Sequence, residues 1–283
     1  MNTVKQGTKF TQDFKTYAIE NDSGKVVSFF HDIPLQFDPA TRTANMVVEV
    51  PRWSNAKFEI STSQPGNPIV QDVKKGSVRF VKNLFPFKGY IHNYGAFPQT
   101  WEDPTTTHGD LSVVGDNDPL DVCEIGLRVL QTGDVKRVKV LGSLAMIDDG
   151  ELDWKIIAID IEDELAGQLK DIPDVEKHCP GLLSSTRRWF RDYKLPDGKP
   201  PNVFAHDGIF LSLEKTVQII QQCSNSWKRL IAGEVTSAKS LPATENVSNS
   251  GSPKLIQSFD LVANDYKGEG PIPPEIDKSY YYL

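Results

Sequence analysis

Cysteine is scarce in this 283-residue chain, which has Cys123, Cys179 and Cys223 and no others. An odd, scattered trio builds neither a disulfide framework nor a cysteine metal cage, and it fits a reducing compartment. No apolar run approaches the ~20 residues that a membrane-crossing helix needs. The opening stretch, residues 1–15, also lacks the apolar core of a secretory leader. The expectation is a cytoplasmic protein with no membrane partner. Basic excess is missing too: 31 Lys and Arg against 38 Asp and Glu leave a net charge of −7. That opposes nucleic acid as a partner, because affinity for a phosphate backbone needs a cationic face. There is no Walker A loop, paired-glycine dinucleotide turn, His-Glu-x-x-His helix or nucleophile elbow. No period of ~20–50 residues marks a repeat protein.

Core material is present. Fourteen Phe, eight Tyr and five Trp exclude wholesale disorder. Residues 15–30 read as two short strands around Asp22-Ser23-Gly24, and 46–50 and 56–61 as a clearer pair. Alternation puts Met46, Val48 and Val50 on one face, and Phe58 and Ile60 opposite Lys57 and Glu59. If the two strands pair through the Pro51–Asn55 turn, Glu49, Lys57 and Glu59 share a polar face. Further strand-like stretches recur near 69–72, 78–81, 90–97, 122–125, 135–147 and 152–161, which favours a barrel or sandwich over βαβ units. Residues 181–193 and 212–231 have the three-to-four spacing of amphipathic helices. From about Glu234 the composition turns to Ser, Pro, Asn, Thr and Lys. The expected division is therefore one domain over 1–233 and a poorly ordered or surface-docked tail over 234–283.

The densest chemical signal is Gly115-Asp116-Asn117-Asp118-Pro119-Leu120-Asp121, with three carboxylates in six positions. Held together they repel unless a cation joins them, and hard oxygen ligands favour Mg²⁺, Mn²⁺ or Ca²⁺ over Zn²⁺. Read alone, the stretch is also compatible with a solvated acidic turn. A calcium-binding EF-hand is excluded, since Asp121 stands where that loop needs glycine and Leu127 where it needs glutamate. A second acidic group, Asp148-Asp149-Gly150-Glu151-Leu152-Asp153, precedes Lys155 and a strand-like run. As a hairpin it brings Asp148 and Asp153 near each other, and with the first group it can complete a multi-metal site. Lys57, Arg79, Tyr193 and Lys194 are scattered groups able to grip phosphate oxygens.

These stretches carry a resemblance. Glu49-Val50-Pro51-Arg52-Trp53-Ser54-Asn55-Ala56-Lys57, Gly89-Tyr90-Ile91-His92-Asn93-Tyr94-Gly95 and the aspartate motif closely resemble the soluble family I inorganic pyrophosphatases of the fungal and animal type. The likeness runs from about residue 15 to 233 and takes in Pro180-Gly181-Leu182-Leu183 and Ser226-Trp227-Lys228. It implies a mainly β chain with flanking helices, built on a five-stranded OB-like barrel with extra N-terminal strands and a C-terminal extension. It also implies homodimers and dependence on Mg²⁺, for which Mn²⁺ can substitute. By motif position, Asp116, Asp121 and Asp153 hold the tightest metal pair, and Asp148, Glu59 and Glu49 serve the ions that arrive with substrate. Asp118 takes a proton from the attacking water. Lys57, Arg79, Tyr94, Lys155, Tyr193 and Lys194 hold the two phosphates, with Tyr90 beside them. The chain departs from fungal relatives at Phe87-Lys88, where they carry histidines, and this bears on the dimer contact.

The implied reaction fits the residues. Pyrophosphate repels an incoming nucleophile by its own charge, so a site must neutralise that charge and supply a reactive water at neutral pH. Clustered carboxylates loaded with divalent cations do both, without a covalent enzyme intermediate. Two other classes compete: an OB-like nucleic-acid module, opposed by the acids of 116–153, and a non-catalytic divalent-metal-binding protein, opposed by the accompanying phosphate-gripping cations.

Overall fold

A computed structural model describes residues 1–107, 111–236 and 240–283. The first strands are β1 (Asn2–Lys9), β2 (Lys15–Ile19), β3 (Val26–Val27), β4 (Thr43–Val50), β5 (Phe58–Ile60) and β6 (Ile69–Gln71). After the small hairpin β7 (Val73–Lys74) and β8 (Ser77–Val78) come β9 (Asn93–Ala96), β10 (Asp121–Glu124), β11 (Val135–Asp148) and β12 (Glu151–Asp160). Helices α1 (Ile172–His178) and α2 (Leu182–Asp192) lead to β13 (Val203–Phe204) and α3 (Leu213–Ile231), and the chain closes with β14 (Asp265–Glu269) and α4 (Pro274–Asp277).

One sheet pairs in the order β12-β10-β9-β4-β11, and β11 also pairs with β12, so five strands form a ring with β13 added outside. This is the OB-like arrangement. Only β10 with β12 is parallel within it. The second sheet, β14-β1-β2-β6-β5 with β3 on β2, stands on the N-terminal extension. Residues 15–30 thus form β2 and β3 as expected, whereas polar β1 is legible only as part of the fungal-type extension.

Strand β4 is buried on both sides. Ala44, Met46 and Val48 enter one core and Val47 the other. Alternation predicts that Val50 follows Val48, but it joins Val47, because the pairing with β9 shifts between Val48 and Val50. Glu49 is the extra residue of this bulge, and bulges re-aim side chains. A second expectation also changes. Strands β4 and β5 do not pair: β5 pairs with β6, in the other sheet. The link is a side chain, for Glu49 Oε1 accepts the Ile60 amide at 2.7 Å.

Helix α2 buries Leu183, Thr186, Trp189 and Phe190, and α3 buries Leu213, Thr216, Ile220, Cys223 and Trp227, matching their three-to-four spacing. Helix α1, seven residues capped by Asp171, is too short for a legible period. Beyond residue 239 the chain adds to the second sheet and docks on neighbouring loops: β14 runs parallel to β1, Asn246 and Ile276 are buried, and the Tyr281 amide donates to Asn83 O.

Candidate active site

Thirteen of the fourteen side chains singled out from sequence line one polar cavity: Glu49, Lys57, Glu59, Arg79, Tyr90, Tyr94, Asp116, Asp118, Asp121, Asp148, Asp153, Lys155 and Tyr193. The fourteenth, Lys194, stands just behind and donates to the carboxylate of Asp148.

Local structure explains the convergence. In β5 the alternation holds, so buried Phe58 and Ile60 turn Lys57 and Glu59 to the cavity. The Lys57 amide donates to Arg79 O and the Asp72 amide to Lys57 O, which brings the guanidinium of Arg79 to Asp72 at 3.0 Å. On the ring, the register sets Asp121 beside Lys155 and Cys123 beside Tyr94. The hydroxyl of Tyr94 donates to Asp121 in a short bond, and Lys155 Nζ reaches Tyr94 at 2.9 Å and both Asp121 and Asp153 at 2.5 Å. The 148–153 segment forms the expected hairpin, with Asp148 opposite Glu151 and Asp153 opposite Met146. Trp189 and Phe190 of α2 also line the cavity, and Trp189 packs on Tyr90 at 5.0 Å and stacks on Tyr193 at 4.9 Å. The Asp116–Asp118 loop is tied back by Asn117 N to Glu102 O, Glu102 N to Asp118 O and Asp118 N to Asp116 Oδ1.

Two acids escaped the sequence reading. Asp72 bridges Lys57 and Arg79. Glu102 is fully buried with its Oε1 accepting the Trp154 amide, while Oε2 has no hydrogen-bond partner among the described residues. Oxygens of Glu102, Asp116 and Asp153 lie within 4.8 Å of one another. The available signal was slight, an acidic pair, Glu102-Asp103, directly after Trp101.

Electrostatics follow from crowding acids in a concave, partly dry space. Burial pushes the carboxyls of Glu49, Glu102 and Asp116 well above the ordinary range, helped by neighbouring acids. Asp153 rises to about 7, through burial and Asp121, against the pull of Lys155. Asp118 reaches water at the cavity mouth but has protein on most sides. Burial and then the charge of Glu59 raise it to about 7, with Lys57 opposing. Burial works against the charged forms of Lys57 and Lys155, yet the adjacent carboxylates hold both well above the usual ammonium range. An all-oxygen donor set containing an unpartnered, buried carboxylate oxygen suits a hard divalent cation.

A ring of five strands with carboxylates, lysines and an arginine gathered in one polar cavity defines an OB-like protein with a site suited to a charged ligand. The family model described as inorganic pyrophosphatase matches residues 46–228. A Kluyveromyces lactis protein named inorganic pyrophosphatase is 52% identical over 99% of this chain and 97% of its own length. A Saccharomyces cerevisiae protein named mitochondrial inorganic pyrophosphatase is 50% identical over 99% and 89%. The solved structure of inorganic pyrophosphatase from Schistosoma japonicum superposes with a TM-score of 0.90 at 41% identity, covering 100% of both chains. The chain belongs to the inorganic pyrophosphatase family, in its fungal branch, and is a hydrolase acting on pyrophosphate.

Proposed function

We propose that the chain hydrolyses pyrophosphate to two orthophosphates with Mg²⁺, using water directly and no covalent intermediate. The observation that carries this reading is the gathering of thirteen motif side chains around one cavity. Asp116, Asp121 and Asp153, joined by Glu102, would hold the tightest ions, with Asp148, Glu59 and Glu49 serving those that come with substrate; Mn²⁺ has the same hard-oxygen preference. When bound, the cations neutralise phosphate oxygens and acidify water, which no side chain here can do alone.

The residues do the rest. Asp118, near neutrality in its proton affinity, accepts the proton of the attacking water. The cavity cations are held by acids: Lys57 by Glu59 at 2.6 Å, Arg79 by Asp72, Lys155 by Asp121 and Asp153, and Lys194 by Asp148. Incoming pyrophosphate would take over these cations, leaving the carboxylates free to hold the metal, and the tyrosine hydroxyls of Tyr94 and Tyr193 would complete the grip, with Tyr90 beside them. This exchange of partners lets an acidic protein bind an anion. An OB-like nucleic-acid role would need a basic groove, and the cavity is acid-lined. Phosphate release from pyrophosphate by the purified protein, with Mg²⁺ and with chelator, tests the proposal; turnover that survives chelation would sink it.

We also propose that residues 1–233 form one domain holding every side chain assigned to the cavity, with 234–283 docked on its surface, and that the protein works as a cytoplasmic homodimer. Three free cysteines support the reducing compartment, and cell fractionation tests it. A groove that includes Phe87 and Lys88, beside Trp53 at 58% exposure and Leu127 at 61%, is the face a second copy would cover; sedimentation of Trp53→Ala tests it.

A further inference from the structure

The C-terminal segment touches both walls of the cavity from behind. On one wall, the Ser240 carbonyl accepts from Asn117 Nδ2 at 3.2 Å, and Asn117 stands between Asp116 and Asp118. Asn117 has a left-handed backbone, φ 78°, and its side chain does not line the cavity. Its Oδ1 accepts the indole N–H of Trp101 at 3.1 Å. On the other wall, the Ala243 amide donates to Thr62 O at 2.7 Å, three residues beyond Glu59. Ala243 O in turn accepts from His31 Nε2 at 2.9 Å, and Leu241 packs against the larger core. The segment is anchored further on, where Asp32 Oδ1 accepts the amides of Val247 and Ser248. Between the walls run four residues, stiffened by Pro242, and so short a span has little slack.

We propose that residues 240–243 are a strap whose length sets the separation of Asp118 and Glu59 across the cavity, which makes Asn117 a positioning residue for Asp118. The proposal rests on the roles given above to those two acids. It assigns the tail a part in the reaction although none of its described side chains lines the cavity. Placement of this kind matters because displacing a reacting group by about 1 Å can cost about 100-fold in rate.

Full-length protein tests it with two variants. Asn117→Gly keeps the left-handed backbone and removes both side-chain bonds. Insertion of Gly-Gly between Ser240 and Leu241 slackens the strap and alters no cavity residue. In both, kcat should fall by about 10-fold or more while KM for pyrophosphate stays within about 2-fold. Hydrogen exchange of the Asp118 and Ile60 amides in metal-free, substrate-free protein should quicken. Ser240→Ala, which keeps the carbonyl, should match wild type in both readouts. Unchanged exchange at Asp118 and Ile60 in the insertion variant overturns the strap whatever the rate. So does wild-type kcat in that variant, or a kcat loss matched by an equal rise in KM. The exchange readout needs no turnover, so it decides the question even if wild-type protein fails to hydrolyse pyrophosphate, an outcome that would instead refute the functional reading.

Discussion

Lys155 and Asp121 stand side by side on the parallel strands β12 and β10, with the ammonium 2.5 Å from the Asp121 carboxylate. The same ammonium holds Asp153 at 2.5 Å, so one buried cation compensates two acids. Removing one partner of a buried ion pair typically costs about 3–5 kcal/mol, because a charge is left without compensation. Lys155→Met should therefore destabilise the metal-free protein by about 3 kcal/mol. Saturating Mg²⁺, a substitute cation for the two acids, should return most of that loss. Urea unfolding with and without Mg²⁺ reads both effects, and equal loss in the two conditions would remove Asp121 and Asp153 from the metal site.

Metal binding should release protons. Asp118 and Asp153 titrate near 7 without metal, and Glu49, Glu102 and Asp116 lie well above the usual carboxylate range. A carboxylate must be ionised to hold a cation, so binding competes with protons, and affinity weakens as pH falls through about 7. Calorimetric titration of Mg²⁺ at pH 6.5, in buffers of differing ionisation enthalpy, should show release of at least about one proton per site. At pH 9 the release should be smaller. Equal, near-zero release at both values would mean the acids are ionised before the metal arrives.

Chemistry was more legible than architecture because motifs keep their spacing on any scaffold. Asp116, Asp118 and Asp121 are dense enough in sequence to announce a cation, and the Lys57–Glu59 alternation correctly turned both toward the cavity. The mistaken pairing of β4 with β5 came from assuming that neighbours in sequence are neighbours in a sheet; the bulge at Glu49 and the partner β6 are fixed by non-local contacts. Glu102 and Asp72 were invisible for a similar reason: Asp72 has no acid beside it in sequence and Glu102 only Asp103, and each meets its site partners only after folding. Tail strand β14 has no apolar alternation to betray it, being held by backbone pairing with β1.

His31 should make folding acid-sensitive independently of the metal site. It is fully buried, its Nδ1 accepts the Trp227 indole N–H at 3.0 Å, and its Nε2 donates to Ala243 O. Burial holds its pKa down to about 4, against an ordinary value of 6.5 for histidine. Because the folded value is depressed, the unfolded chain takes up the proton first; stability is intact above about 6.5 and is lost as pH falls toward 4. Between pH 7 and pH 5 this one ring should cost about 2 kcal/mol. His92, also buried and held near 3, acts in the same direction. His31→Gln should shrink the pH 7 to pH 5 loss in unfolding free energy by about 2 kcal/mol, leaving the His92 share. An unchanged loss would show that His31 already protonates in the fold.

Asp118 and Asp121 share a motif but should fail differently when changed. Asp121 is bonded to Tyr94 and Lys155 deep in the cavity and is assigned to hold metal, so Asp121→Asn should weaken Mg²⁺ binding and recover in part at high Mg²⁺. Asp118 stands at the mouth, raised to about 7 by burial and by Glu59, a proton affinity suited to taking a proton from water near neutrality. Asp118→Asn keeps the shape and removes the base. The general-base contribution, about 10²- to 10⁴-fold, should disappear from kcat, with Mg²⁺ half-saturation little changed. Stability should hold or rise slightly, since the like-charge repulsion from Glu59 is relieved. An ordinary acidic turn would give the same stability gain with full activity. Measuring kcat across a Mg²⁺ titration for both variants separates the roles, and restoration of Asp118→Asn by excess Mg²⁺ would make Asp118 a metal ligand rather than the base.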